Sequence, residues 1–226
     1  MDPTVFNMRR QATFELGEDM VQNGTLLDRL AIADVVTRER MARDDGDWEA
    51  MAACYHRDSS IDISWFQGGG HAFVARTKEF FERMKASGDK DDLNFHILQP
   101  VNVKVRGDRA IAEMPCTLRN FLRVDGVEAS FEGHTRLFWR SVRSGEDWLI
   151  AGLRVVYIRD LIMACNPSSR LVLDQAQLDS HRQSYRYLSY LLKRDGLSPR
   201  DDLPGADRPE TVAALREQEA LWLRTD

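Results

Sequence analysis

The sequence predicts an α+β domain, because helical and strand patterns fall in separate stretches of the chain. Apolar residues recur at helical spacing from Leu27 to about Arg43, early in the 226-residue chain. From Asn94 to about Ile158 the pattern changes to four long strand-like segments separated by short turn signals. Helices followed by a run of strands are typical of an α+β fold, whereas regular alternation of the two would indicate a parallel sheet.

The first ninety residues carry three predicted helices and one strand. The phrase Thr25-Leu26-Leu27-Asp28 resembles a capping box at the start of the first helix. A short helix is predicted near Trp48–Tyr55, and an amphipathic helix from Phe73 to Lys85. Between these two helices Ser60–Trp65 predicts a strand, and Gly68-Gly69-Gly70 predicts a turn into the amphipathic helix.

The four later segments are predicted to form an antiparallel meander, because the turns between them are too short for crossover connections. The segments are Phe95–Arg106, Arg109–Val124, Glu128–Arg143 and Trp148–Ile158. Between the second and third segments lies Asp125-Gly126, a dipeptide that favours a tight hairpin turn.

Beyond residue 160 the sequence indicates a long addition to one domain rather than a second domain. Leu171–Lys193 is predicted as one helix with three tyrosines, and Pro209–Leu223 as a final helix. We therefore divide the chain into an N-terminal arm (1–24), an α+β domain (25–160) and a C-terminal helical extension (161–226). The extension is expected to pack on the α+β domain or on a neighbouring subunit.

Composition and motifs exclude several classes of protein. A formal net charge of -5 argues against a nucleic-acid binder, and there is no apolar run long enough to cross a membrane or serve as a signal peptide. Three widely spaced cysteines predict reduced thiols, so we expect a cytoplasmic protein. Phosphate-binding glycine loops, zinc-binding patterns, EF-hands and nucleophile elbows are absent from the sequence. We therefore expect no cofactor and no metal, and chemistry that rests on proton transfer by side chains.

Several short motifs follow one another in a characteristic order: Leu30–Asp34, Asp44, Asp47–Glu49, Tyr55, Asp58, Ile61–Ile63, His96 and Trp148. Their order and spacing resemble the SnoaL-like branch of the nuclear-transport-factor-2-like superfamily, which includes scytalone dehydratase, bile-acid 7α-dehydratase and lindane dehydrochlorinase. The resemblance covers roughly residues 25–160. It implies a curved antiparallel sheet wrapped around N-terminal helices as a cone, with an apolar pocket at the cone mouth.

The resemblance also implies a catalytic pair, Asp44 and His96. In lyase members an aspartate late in the first helix pairs with a histidine on the strand after the third helix, and these two residues fall at those positions. A carboxylate that accepts one imidazole N–H fixes the tautomer and raises the basicity of the other nitrogen. Without the resemblance, the residues are also consistent with Asp44 as one of three acids at a helix end and with His96 as a histidine buried in the core.

Six further residues are candidate substrate-binding residues. They are Arg154, His134, Arg40, Tyr55, Trp65 and Tyr157. Arg154 falls where lindane dehydrochlorinase-like members carry a pocket arginine that would bind an anion; a solvent-exposed strand arginine is the alternative. Arg40 lies one turn before Asp44 and is predicted to pair with it. His134 shares a strand face with Arg136 and would line the pocket or an oligomer interface. Tyr55, Trp65 and Tyr157 would form an aromatic pocket wall, and packing in the core explains these three residues equally well.

The resemblance therefore implies a cofactor-independent lyase that acts on a hydrophobic hydroxylated aromatic or polycyclic small molecule. The reaction would be dehydration, or water loss with formaldehyde release from a lignin-derived diarylpropane, since sphingomonad diarylpropane lyases look similar. A polyketide-type cyclase or isomerase on the same fold is an alternative. A non-catalytic module that binds a hydrophobic ligand or dimerises is another. Family habit predicts a homodimer or a homotrimer.

Overall fold

The computed structural model describes residues 26–86 and 93–225, so the predicted arm, residues 1–24, lies outside the described residues. The first elements are helices α1 (Leu26–Asp45) and α2 (Trp48–Ala53), strands β1 (Tyr55–Ile63) and β2 (Phe66–Gly69), and helix α3 (Gly70–Ala86). Five strands follow: β3 (Leu93–Leu98), β4 (Asn102–Arg106), β5 (Arg109–Val124), β6 (Val127–Ser144) and β7 (Asp147–Ala164). The C-terminal helices are α4 (Gln175–Asp179), α5 (Arg186–Arg194) and α6 (Pro209–Arg224).

The strands form one curved sheet in the order β2-β1-β7-β6-β5-β3, with β4 paired to the first part of β5. The meander is antiparallel as predicted, while β1 and β7 pair in parallel. Register shifts between β6 and β7, at His134/Thr135 and Arg140/Ser141, bend these 18-residue strands. The sheet therefore curves around α1, which confirms the predicted α+β cone.

Helix α1 fills the concave side of the sheet. Its apolar side chains Ile32, Val35 and Val36 are fully buried in a core shared with Trp139 and Leu153 of the sheet. Burial of each such side chain contributes roughly 1.5–3 kcal/mol to the free energy of unfolding. Of the apolar residues whose spacing predicted this helix, Val35 is buried, but Leu27, Leu30 and Met41 are exposed. The helix was therefore predicted correctly, whereas the face that packs against the sheet is a different one.

Several predicted elements are wrong in their extent. The predicted strand Ser60–Trp65 is Tyr55–Ile63, Trp148–Ile158 extends over Asp147–Ala164, and two other elements are divided. The segment Phe95–Arg106 is two strands, because Pro100 has no N–H to donate and the chain bends between β3 and β4, which both pair with β5. The predicted helix Leu171–Lys193 is instead α4, a 3₁₀ turn (Gln183–Tyr185) and α5. Arg182 interrupts it with an extended backbone (φ -65°, ψ 138°), and its guanidinium donates to the carbonyls of Asp201 and Leu203.

The C-terminal extension contacts both faces of the sheet. Tyr185 and Leu188 lie on the concave side, where the Tyr185 ring centroid is 4.7 Å from that of Tyr157. Helix α6 packs on the convex side, where Leu215 joins Phe138 in a small buried cluster. None of the helices in residues 26–86 and 93–225 is long and apolar enough to cross a membrane.

Candidate active site

The concave side of the sheet encloses an inner cavity of about 120 Å³ between α1, α3, the sheet and the C-terminal extension. Its apolar wall includes Trp65, Phe73, Phe80, Leu137, Val155 and Tyr185. An outer cavity of about 450 Å³ adjoins it and shares Phe80, Asn94 and Asn120 with it. The shape and lining suit an elongated, largely apolar ligand that carries a few polar groups.

Asp44 and His96 meet where the two cavities adjoin, with Asp44 in the wall of the outer cavity and His96 in that of the inner one. Nδ1 of His96 lies 2.7 Å from Oδ1 of Asp44, and the backbone N–H of His96 donates to Oδ2 at 2.7 Å. An ionised carboxylate only accepts hydrogen bonds, so Nδ1 carries the imidazole proton. Nε2 of His96 is left as a hydrogen-bond acceptor and a base.

Arg43 completes this cluster. Its Nη1 lies 3.3 Å from Oδ1 of Asp44, 3.3 Å from Oδ1 of Asn94 and 3.4 Å from Nδ1 of His96. Burial, together with the Arg43 charge, lowers the pKa of His96 to about 4, so the imidazole is neutral at neutral pH. Partial burial opposes ionisation of Asp44, but the hydrogen bond from His96 and the Arg43 charge hold its pKa below the usual value.

The secondary structure explains why these groups meet. Asp44 and Arg43 are in the last turn of α1, and β3 passes beside it. Asn94 and His96 are two residues apart on β3, so strand alternation places both on the same face. The sequence pointed to Asp44 and His96 but not to Arg43 and Asn94. The position of Asn94, two residues before His96 on a predicted strand, indicated that the two side chains share a face. Nothing in the sequence distinguishes Arg43 from the neighbouring arginines.

Arg40 does not pair with Asp44, so that prediction is wrong. Its guanidinium makes two 2.6 Å hydrogen bonds to Glu39, and the Tyr55 hydroxyl donates to the same carboxylate at 2.7 Å. All three side chains are buried. Arg40 borders the inner cavity, but Tyr55 does not line it, and its hydroxyl is committed to Glu39. Tyr55 is therefore a core residue rather than a pocket residue.

Arg154 lies on the convex face, so the prediction of a pocket arginine at this position is wrong. Leu153 and Val155 line the inner cavity, and strand alternation turns Arg154 to the opposite side. There its Nη1 contacts Gln218 at 2.8 Å and Glu219 at 3.2 Å on α6. The cation beside Asp44 and His96 is Arg43 instead.

The three remaining candidates border the inner cavity in different ways. The Trp65 ring stacks on Phe80 at 6.0 Å between centroids, and the buried Tyr157 hydroxyl accepts a hydrogen bond from the Ser64 N–H at 2.9 Å. Burial raises the pKa of Tyr157 to about 12, so it stays protonated. His134 borders the cavity, but alternation along β6 turns its imidazole to the convex side, where Nδ1 lies 3.1 Å from Oγ1 of Thr117.

These features define a class: an α+β cone whose apolar cavity contains a carboxylate–imidazole pair. Residues 24–154 match the SnoaL-like domain, and the chain therefore belongs to the SnoaL-like family. Within the described residues, no group of three or more His, Cys, Asp or Glu side chains is arranged to hold a metal ion.

Curated relatives and solved structures are similar over different lengths. Pea pathogenicity protein 2 of Fusarium vanettenii is 25% identical over 204 residues, which cover 87% of this chain and 84% of the relative. An uncharacterized protein of Emericella nidulans is 22% identical with the same two coverages, 87% and 84%. A protein of unknown function from Mycobacterium tuberculosis is 17% identical with a TM-score of 0.49, covering 77% of this chain and 98% of that one. A nuclear-transport-factor-2-like protein from Novosphingobium aromaticivorans is 24% identical with a TM-score of 0.46, covering 57% and 81%.

Proposed function

We propose that this protein is a cofactor-independent lyase that removes water from a hydroxylated aromatic or polycyclic molecule. The observation that supports it is the 2.7 Å contact between Asp44 and His96 at the wall of an apolar cavity. A neutral imidazole held in one tautomer by a carboxylate is a base ready for proton transfer. A module that only binds a hydrophobic ligand has no need for such a group.

The proposed reaction begins with proton abstraction by His96. Nε2 takes a proton from the carbon next to the one that bears the hydroxyl, and negative charge develops on the substrate. Asp44 stabilises the imidazolium that forms, and Arg43 stabilises the developing anion. The imidazolium then returns its proton to the departing hydroxyl, which leaves as water while the double bond forms. The proton that His96 removes from carbon is the one that it returns to the hydroxyl, so no external acid or base is consumed.

The two adjoining cavities favour a two-ring substrate. The inner cavity provides aromatic contacts through Trp65 and Phe80, and Phe80 also borders the outer cavity. A lignin-derived diarylpropane that carries hydroxyl groups fits this description. For such a substrate a phenol on the ring would give its proton to His96 and expel the benzylic hydroxyl, which takes that proton and leaves as water, so a quinone methide forms. His96 would then deprotonate the terminal CH₂OH, and the electrons of the breaking C–C bond would pass into the quinone methide. Formaldehyde leaves, the imidazolium returns its proton to the phenolate, and the product is a stilbene.

The test is a screen of the purified protein, without added metal or nucleotide, against hydroxylated aromatic and steroid compounds. Water loss and formaldehyde release are scored separately, because they distinguish simple dehydration from C–C cleavage. For a compound that is turned over, kcat/KM should decrease as the pH falls through about 4, where His96 becomes protonated. Turnover that is unchanged in His96→Ala would exclude this mechanism, and Arg154→Ala on the convex face is the matched control.

A further inference from the structure

A second carboxyl group, Asp160, lies in the wall of the inner cavity apart from Asp44 and His96. Its position depends on a bulge in β7. Thr135 pairs with Tyr157 but His134 pairs with Arg159, so Ile158 is an extra residue. An extra residue reverses strand alternation, so the concave face that carries Tyr157 carries Asp160 beyond the bulge.

One oxygen of Asp160 has a structural role. The residue before α5, Tyr185, makes no side-chain capping hydrogen bond. Oδ2 of Asp160 instead accepts the backbone N–H of Leu188, in the first turn of α5, at 2.7 Å. A carboxylate at this end of a helix satisfies free N–H groups and interacts favourably with the helix dipole. This contact accounts for one oxygen of the carboxyl group.

The other oxygen has no such role. Oδ1 of Asp160 is buried and has no hydrogen-bond partner among the described residues, while the residue is only 3% exposed. A buried polar atom without a partner destabilises the folded state, so such atoms are uncommon unless something binds them. Because the residue lines the inner cavity, a ligand in that cavity can supply the missing partner.

We propose that Asp160 binds a hydroxyl group of the substrate through Oδ1, at a wall of the cavity different from that of His96. The inference deepens the proposed function, because it adds a recognition site for a second polar group on the same substrate. In the sheet order β7 and β3 are separated by β6 and β5, so the two groups approach the ligand from different strands. A substrate that contacts both His96 and Asp160 would carry a hydroxyl group remote from its reacting carbon.

The ionisation of Asp160 gives the proposal a pH signature. Burial raises the pKa of Asp160 to about 7, against the lowering effect of the backbone N–H groups of Leu188, Tyr187 and Arg186 at the start of α5 and of the Arg159 charge. The other charged or titratable residues that line this cavity are Tyr157 and Arg159 on β7, His134 on β6, Tyr185 and Asp195 on either side of α5, and Arg40, Arg43 and His96 across the cavity. The imidazole of His134 is turned to the convex side. A hydroxyl that donates to Asp160 binds the ionised form best, so its affinity should increase from pH 6 to pH 8.

The experiment compares binding of 2-naphthol and 2-methylnaphthalene by titration calorimetry or fluorescence. The wild type should bind 2-naphthol about tenfold or more tightly, since a hydrogen bond to a charged group contributes about 1.5–3 kcal/mol. Only the naphthol affinity should depend on pH between 6 and 8, and a phenol keeps its own proton in this range. Asp160→Ala should reduce the preference to about twofold or less. Asp160→Asn, which can still accept the Leu188 N–H, should abolish the pH dependence.

Two controls separate this proposal from other effects. Asp174→Ala removes the carboxylate that caps α4 outside the cavity, so it tests loss of a helix cap alone and should leave the preference unchanged. His96→Ala should also keep the preference for 2-naphthol, so failure of the lyase mechanism and failure of this proposal are distinguishable. No preference for 2-naphthol in the wild type, or an equal preference in Asp160→Ala, would overturn the proposal.

Discussion

Charged clusters lie on both faces of the sheet, and they differ in whether their polar atoms all have hydrogen-bond partners. On the convex face Glu113 contacts Arg136 and Arg216, and Glu219 contacts Arg140 and Arg154, so each of these two acids is shared between two arginines. On the concave face the cluster of Asp44, His96 and Arg43 borders a cavity, as does Asp160.

The difference lies in hydrogen-bonding capacity. On the convex face both carboxylate oxygens of Glu113 and of Glu219 have arginine partners. Glu219 is itself buried, but the arginines of both clusters are partly exposed to solvent. The concave groups are buried but incompletely satisfied: Nε of Arg43 and Oδ1 of Asp160 have no partner among the described residues. Unsatisfied polar groups that border a cavity mark a ligand site better than the number of charges does.

The largest expected effect is on turnover at the concave face. His96→Ala and Asp44→Asn should each lower kcat by about 10²–10⁴, the usual contribution of a positioned acid–base group. Steady-state kinetics on a compound from the screen measure this, and thermal unfolding checks that the variants fold. If both variants retained near-full activity, the concave cluster would have no catalytic role.

The next prediction concerns stability and the buried pair of Glu39 and Arg40. Glu39→Ala leaves the Arg40 guanidinium buried without a partner, which should lower the free energy of unfolding by about 3–5 kcal/mol. Glu113→Ala on the convex face removes two half-exposed contacts and should cost about 1 kcal/mol or less. Urea denaturation of both variants measures the contrast, and equal losses would contradict it.

Asp160 should give stability an unusual dependence on pH. An unfolded aspartate ionises near pH 4, whereas folded Asp160 keeps its proton up to about pH 7. The folded state therefore binds the extra proton between these values, and this residue's contribution to the free energy of unfolding falls as pH rises from 4 to 7. The fall is up to about 4 kcal/mol. Urea denaturation at several pH values should show it in the wild type but not in Asp160→Asn, and parallel curves would refute it.

The smallest effect is expected for Arg154→Ala. Its contacts with Gln218 and Glu219 are partly exposed, and Glu219 keeps its pairing with Arg140, so stability should change by about 0–1 kcal/mol. Turnover should stay within about twofold of the wild type, because the side chain lies on the face opposite the cavity. A tenfold loss of kcat/KM would contradict the assignment of Arg154 to the convex face.

Much of the fold followed from local patterns in the sequence. The strand Arg109–Val124 has the predicted bounds, and Val127–Ser144 differs from its prediction by one residue at each end. Asp125 and Gly126 both have positive φ, 49° and 81°, as the predicted hairpin turn requires. The β2 hairpin strand was missed because Phe66–Gly69 is short and rich in glycine.

The sequence by itself determined the α+β class, the order of the meander and the spacing that brings Asp44 to His96. The class and the meander depend on periodicity and turn chemistry, which act between near neighbours in the chain. The pairing of Asp44 with His96, which are 52 residues apart, was implied by the family resemblance. The tertiary structure decided which arginine reaches the cavity, and it placed Asp160 there through one extra residue in β7. It also broke the predicted C-terminal helix at Arg182, whose partners lie about twenty residues further on. Bulges and long-range hydrogen bonds depend on distant partners, so local patterns in a single sequence do not show them.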